Sequence, residues 1–277
     1  MQKLFTRETQ WQRHTIPIFC QGNTKANSPK SIFTREAQRQ QLNAERTKRA
    51  TIATAEGEKN SIQLRNNDII VISQKIISKS ENQIININTI KPTSYAKKIA
   101  LRLKKDPRVI EVILSESEEV IRISDSVIIT KTKHGFICAN SGVDNSNISE
   151  GLILLLPKDP DKSALEIRNE IKKELTIDIA VIITDSFGRP WRNGQVDIAI
   201  GTSGIEMIKD YRGLEDKYGN RLQATEIAII DELAAAAELV KGKTDQIPIA
   251  IIRNYMYRKN DKPIKQIIRD ENTDLFL

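Results

Sequence analysis

The sequence predicts an α+β fold for residues 68–277. Three observations predict it: short β-branched apolar runs, helical segments mixed irregularly among them, and a change of composition at Asp68. Strict alternation of strand and helix would instead point to a doubly wound parallel sheet, and the order of segments does not follow it. With 277 residues the chain can form one large domain or two modest ones, each with a real core.

Residues 1–67 read as a separate basic segment. They are rich in Gln, Arg, Thr, Asn and Ala and carry 12 Lys/Arg against 5 Asp/Glu, which accounts for the chain's net charge of +7. Residues 68–277 hold 31 of each sign, so the body has no basic stripe of the kind that tracks nucleic acid. Residues 4–10 return in similar form at residues 32–38, and two copies are too few for a repeat array. The polar helix candidate at 39–49 lacks an apolar stripe. The segment therefore reads as partly disordered, or as helix without packing.

Within 68–277 the elements follow in order. Ile69-Ile70-Val71-Ile72, after an Asn-Asn-Asp turn, predicts a buried strand, and residues 84–87 a second. Apolar spacing predicts helices over 94–103 and 109–120, the latter opened by Asp106-Pro107. Residues 127–130 and 136–139 suggest a hairpin turning near His134-Gly135, and 152–156 another buried strand. Ser163-Ala164-Leu165-Glu166 has the pattern of a capping box opening a helix to Leu175. Residues 179–184 make the strongest buried-strand pattern. A long helix is expected over 225–240, with Ile230, Leu233, Ala237 and Val240 on one face. A strand at 249–252 and a short helix at 263–269 close the chain.

Composition excludes several classes. Two cysteines, Cys20 and Cys138, rule out a disulfide framework and point to a reducing cytoplasm. Two histidines, His14 and His134, cannot build a zinc cluster, so any metal should be a hard cation held by oxygens. The apolar runs are too short to span a bilayer, and no secretory signal precedes the fold. Neither a Walker loop nor a dinucleotide-binding glycine motif is present.

Four constellations could carry chemistry. In Asp185-Ser186-Phe187-Gly188-Arg189-Pro190-Trp191-Arg192-Asn193-Gly194-Gln195 a strand runs into a carboxylate and a hydroxyl, and Gly188 is expected to turn the chain sharply. Asp185 and Ser186 suit Mg²⁺ or Mn²⁺, and Arg189 and Arg192 suit phosphate. The same string reads equally as a structural turn with surface arginines. Asn140-Ser141-Gly142-Val143-Asp144-Asn145-Ser146-Asn147 suits a backbone nest beside a cation ligand, or simply an Asx-rich turn. In Ser73-Gln74-Lys75-Ile76-Ile77-Ser78-Lys79 the two lysines share a helical face and could neutralise phosphates, or sit in solvent. Lys241-Gly242-Lys243-Thr244-Asp245-Gln246-Ile247 follows the long helix, where Gly242 suits a C-cap and lysines complement the helix dipole without any ligand.

Taken together and in order, these segments resemble the coenzyme F420-0:L-glutamate ligases. The resemblance also rests on His134-Gly135-Phe136, Cys138-Ala139-Asn140, Ala199-Ile200-Gly201, Asp210-Tyr211-Arg212-Gly213, Asp216, Tyr218-Gly219 and Asp231-Glu232-Leu233, and it spans nearly all of 68–277. It implies an α+β protein of mixed and antiparallel sheets with flanking helices, forming an intertwined homodimer. It implies GTP as co-substrate, Mg²⁺ or Mn²⁺ at two sites, and K⁺. The implied reaction phosphorylates the terminal carboxylate of the deazaflavin precursor, and the amine of L-glutamate then attacks the acyl phosphate. A second glutamate can follow by γ-linkage.

Residue by residue, the resemblance makes Asp144 and Asp185 ligands of one metal and adds Ser186 as a ligand. It makes Gln74, Lys75, Lys79 and Asn147 nucleotide contacts, and residues 241–247 the guanine-nucleotide loop. Lys241 stands where the family commonly has Met. Ile16-Pro17-Ile18-Phe19 is the candidate for the family's N-terminal nucleotide loop. Two other readings stay open: a ligase of the same architecture with another acceptor, and a non-catalytic nucleotide- or nucleic-acid-binding protein.

Overall fold

The computed structural model describes residues 38–39, 41–42 and 63–275. The repeat at residues 4–10 and 32–38, the candidate loop at residues 16–19 and most of the basic segment lie outside the described residues. Of the polar helix candidate, residues 39, 41 and 42 are described, and all three are helical.

Four strands make the central sheet: β1 (Ile69–Ser73), β7 (Ala180–Arg189), β8 (Arg192–Ser203) and β11 (Ile249–Ile252), in the order β11-β1-β7-β8. The β-branched, apolar runs of β1, β11 and the first half of β7 suit burial on both faces, and Ile69, Val71, Ile182 and Ile183 are fully buried. β1 and β7 run parallel, Ile69 opposite Ala180 and Ser73 opposite Thr184, while the outer pairs are antiparallel. The sheet is thus mixed; β1 ends at Ser73 opposite Thr184, and β7 runs on to Arg189.

Three smaller antiparallel sheets surround it. β2 (Ile84–Asn86) pairs with β6 (Leu152–Leu154). β3 (Ser117–Ile123), β4 (Ile128–Thr132) and β5 (Ile137–Ala139) form a meander. β9 (Lys209–Asp210) pairs with β10 (Glu226–Ile227) at the root of an exposed arm.

Five helices flank these sheets. α1 (Gln74–Ser80) leaves the end of β1 directly. α2 (Ser94–Leu103) and α3 (Pro107–Ser115) close a second core of Ala96, Ile99, Leu103, Ile110, Ile113 and Ile128. Thr93 caps α2 and Asp106 caps α3, each accepting a backbone N–H with its side chain. α4 (Pro160–Leu175) and α5 (Ile229–Lys241) pack on the central sheet through Ala164, Ile167, Ile171, Ile230, Leu233 and Ala237. Among the described residues no helix is long and apolar enough to cross a membrane.

Several expected boundaries are corrected. The helix expected over 109–120 ends at Ser115, and residues 117–123 form strand β3. The hydroxyls of Ser115 and Ser117 bond the carbonyls of Val112 and Ile113, local bonds that compete with further helical turns. α4 starts earlier than the expected capping box, with Asp159 as its cap and Ser163 inside the helix. The long helix starts at Ile229 rather than residue 225, because Glu226 and Ile227 pair with β9. Val240 is exposed, and Lys241 takes the buried place at that end of the helix. The expected helix at 263–269 is a short 3-10 turn, Ile264–Ile267.

The largest correction concerns 185–195. Gly188 does not turn the chain; it lies inside β7, opposite Gln195. The turn falls at Pro190-Trp191, where proline ends the ladder for want of an N–H and Trp191 takes a φ of 61°.

Candidate active site

Because β1 and β7 are parallel and in register, the residues that follow Ser73 and Thr184 emerge at one edge of the sheet. In α/β proteins that carboxyl edge is where ligands bind. Gln74 and Lys75 leave β1 there, and Asp185 and Ser186 continue β7 past the same level. The four constellations meet here in two pairs: Lys75 and Lys79 contact the 144–147 loop, Lys243 contacts Ser186, and Asp185 feels the charges of both pairs.

On one side stands Asp144. Its backbone bridges to Leu154 by a reciprocal pair of hydrogen bonds, which fixes the loop after β5. Its carboxylate accepts from the Lys75 ammonium at 2.6 Å, from the Ser146 N–H at 2.6 Å and from the Ser146 hydroxyl at 3.0 Å. Burial pushes the Asp144 carboxyl up, but these donors outweigh it and hold it below the usual carboxylate range. Lys75 also reaches the Ser146 hydroxyl, and Lys79 donates to the Asn147 carbonyl at 2.7 Å. The lysines of α1 thus clasp the 144–147 loop. Burial, and then the like charge of Lys75, lowers the Lys79 ammonium. Gln74 is 1% exposed; its Oε1 accepts from Ser78, and its Nε2 is buried without a partner among the described residues.

On the other side is a cluster around Asp197, which sequence reading passed over. Asp197 lies on β8 opposite Ser186 and is 3% exposed. Its carboxylate accepts from Thr184 Oγ1 (3.0 Å), Ser186 Oγ (2.6 Å), Lys241 Nζ (3.0 Å) and Lys243 Nζ (3.2 Å). Burial pushes the acid up, yet the Ser186 hydrogen bond and the Lys241 charge win, so it stays ionised. The only signal in the sequence was position: Asp197 is the sole charged residue of β8 after Arg192, at the start of its buried portion.

Asp185 sits between the two sides. Its carboxyl is pushed up to about 7, first by burial and further by the charges of Asp144 and Asp197, against the pull of the Ser186 N–H and Lys75. Burial and the two neighbouring carboxylates outweigh the Lys75 ammonium, an excess of negative charge that a bound cation would relieve. Among the described residues no three His, Cys, Asp or Glu side chains gather into a metal-binding group. Two carboxylates do suit Mg²⁺ or Mn²⁺, which take one or two protein carboxylates and complete their shell with water and phosphate oxygens. The donor set therefore fits a hard cation whose shell water or phosphate oxygens would complete, and Asp144 and Asp185 would hold it.

Residues 241–247 join this centre at one point. Lys241 is buried, Gly242 ends α5 with φ +59°, and Thr244, Asp245 and Gln246 are exposed. Lys243 ties the loop to the Ser186 hydroxyl and to Glu238. Arg189 and Arg192 face each other across the hairpin end and are exposed, and Arg189 donates to the Asn193 carbonyl at 2.9 Å. Arg189 also lines an open cleft of about 320 Å³ with Asp197, Glu226 and Asp231; Arg192 is outside that lining. His134 is anchored by the carbonyls of Pro157 and Lys158. Cys138 is buried, its thiol pushed up to about 12 by burial and by Asp185.

Comparison with known proteins gives the family. The profile of the F420-0:Gamma-glutamyl ligase family matches residues 44–254. A protein of Methanococcus maripaludis (strain C7) named coenzyme F420:L-glutamate ligase is 48% identical over 214 residues, covering 77% of this chain and 86% of its own. Proteins of the same name from Methanocaldococcus jannaschii and Methanothermobacter thermautotrophicus are 46% and 44% identical, with the same shares of the two chains. The chain belongs to the F420-0:gamma-glutamyl ligase family.

Proposed function

We propose that this protein is a cytoplasmic ligase that joins L-glutamate to coenzyme F420-0 at the expense of GTP, with Mg²⁺ or Mn²⁺ and a monovalent cation such as K⁺ assisting. A carboxylate is a poor electrophile, so it must first acquire a leaving group. In the reading favoured here a terminal carboxylate oxygen of F420-0 attacks the γ-phosphorus of GTP, and the bond to the β,γ-bridging oxygen breaks to release GDP. The glutamate amine then attacks the acyl carbon, loses its proton to the medium and expels inorganic phosphate as the amide forms. A second glutamate can add through the γ-carboxylate of the first.

One observation carries this reading. The parallel ends of β1 and β7 bring lysines, two acids and a hydroxyl to one edge, a set suited to a polyphosphate and its cation. A divalent cation there would neutralise phosphate charge and align the γ-phosphorus. Lys75 and Lys79 would take phosphate oxygens, the free Nε2 of Gln74 would donate to the nucleotide, and the 241–247 loop with Asn147 would border it. Arg189 and Arg192, exposed at the hairpin end, would supply guanidinium groups to a phosphate of the substrate. Residues 209–227 project as an exposed arm carrying Leu214 (55% exposed) and Tyr218 (77% exposed), which suits pairing with a second copy in a homodimer.

An isotope experiment tests the chemistry. F420-0 labelled with ¹⁸O in its terminal carboxylate should pass one label to the phosphate released with the first glutamate, and none to the phosphate released with a second, whose oxygen comes from the unlabelled γ-carboxylate of the first. Amide formation without label in phosphate would contradict the acyl-phosphate route.

A further inference from the structure

The Asp197 cluster has the construction of a cation site. Oxygens from three elements converge there: the Thr184 and Ser186 hydroxyls from β7, the Asp197 carboxylate from β8 and the Glu238 carboxylate from α5. Hydroxyl and carboxylate oxygens around a point of positive charge are what a hard metal ion requires. An ammonium group makes the same electrostatic demand, and in this chain two lysines meet it.

Lys241 is 1% exposed, and its nitrogen lies 2.8 Å from Thr184 Oγ1 and 3.0 Å from Asp197 Oδ2. Lys243 comes from the solvent side to the other carboxylate oxygen at 3.2 Å, to Glu238 at 3.3 Å and to the Ser186 hydroxyl. A lysine is carried to such depth only where its charge is paired and hydrogen-bonded. Ser186 donates its proton to Asp197, so its remaining lone pairs face the Lys243 ammonium.

We propose that Lys241 and Lys243 fill this oxygen cluster with tethered ammonium groups, so that a free divalent cation binds the chain at the Asp144–Asp185 pair and not at Asp197. Ser186 then serves the tethered cations. The chain needs one exchangeable divalent ion where the resemblance implies two. The proposal rests on the reading of Asp144 and Asp185 given above only for the location of that single ion.

Titration with Mn²⁺ alone, followed by the electron paramagnetic resonance of the free ion, tests this on the full chain. The wild type should bind one equivalent, and Asp185→Asn none. Lys243→Ala, which removes a half-exposed side chain, should gain a second equivalent, and so should Lys241→Met/Lys243→Ala. Adding Asp197→Asn to Lys243→Ala should abolish the gain. The near-ultraviolet circular dichroism of each variant establishes that it is folded. Two equivalents on the wild type, or no gain in folded Lys243→Ala, would overturn the proposal. A wild type that binds none while Lys243→Ala gains one would refute the Asp144–Asp185 reading and leave the tethered cations standing.

Discussion

Asp197 and Lys241 are the residues most sensitive to being separated. Each is almost fully buried, and removing Asp197 leaves the Lys241 ammonium without a carboxylate, whereas Asp197 would keep Lys243. Asp197→Ala should therefore cost roughly 3–5 kcal/mol of stability in metal-free buffer, measured by urea unfolding. A loss below about 1 kcal/mol would mean that solvent reaches the pair. Cys138 should be inert in the folded protein at pH 8, since a thiol pushed up to about 12 has almost no thiolate there. Peptide mapping after alkylation should find Cys138 unmodified in native protein and fully modified in urea. Asp178 belongs to a different network, receiving Lys259 at 2.6 Å and Arg168 at 2.9 Å. The Lys259 hydrogen bond, then Arg168, holds its carboxyl below the usual carboxylate range against the cost of burial. A depressed acid stabilises the fold above its unfolded pKa, and that contribution is lost as pH falls through the lower folded value. Asp178→Asn should thus be less stable than wild type at pH 7, and the gap should close as pH drops below about 3.8 in thermal melts.

Elements show where sequence reading succeeded and where physics hid the answer. The strand at 69–72 and the helix at 94–103 were legible because apolar periodicity and caps agree there. β3 was not, because Val120 continues the helical spacing of 109–113 by coincidence, and the helix is stopped by serine side chains rather than by glycine or proline. The span 185–189 read as a turn because Gly188 is the usual sign of one, yet its φ is not positive and it pairs within β7. Of the candidate site, Lys75 with Asp144 and Ser186 with Lys243 are joined by contacts between residues dozens of positions apart, which no local pattern reveals. Packing of α4 on β8 gives a further test. A Cβ at Gly201 would lie 2.4 Å from the Pro160 backbone carbonyl carbon, so that glycine lets the helix start touch the strand. Gly201→Ala should destabilise by roughly 1–3 kcal/mol in denaturant unfolding. An unchanged midpoint would show that α4 can shift.

At the scale of the molecule, the main sheet and two helices make a rigid support, and the chemistry-bearing side chains gather at its carboxyl edge. The exposed arm of residues 209–227 projects from the fold. If it joins two copies, Leu214→Asp/Tyr218→Asp should shift the sedimentation coefficient from dimer to monomer; a wild type that sediments as a monomer would exclude that role. Because the family match spans most of the chain, the ligase activity itself is the central claim. The direct measurement is mass spectrometry of coenzyme F420-0 after incubation with the protein, L-glutamate, GTP and Mn²⁺. The account predicts a product heavier by one or two glutamyl residues, formed with GTP and metal together, with GDP appearing in equal number, and lost in Asp185→Asn. Unchanged F420-0 with wild-type protein under every nucleotide and metal would contradict it.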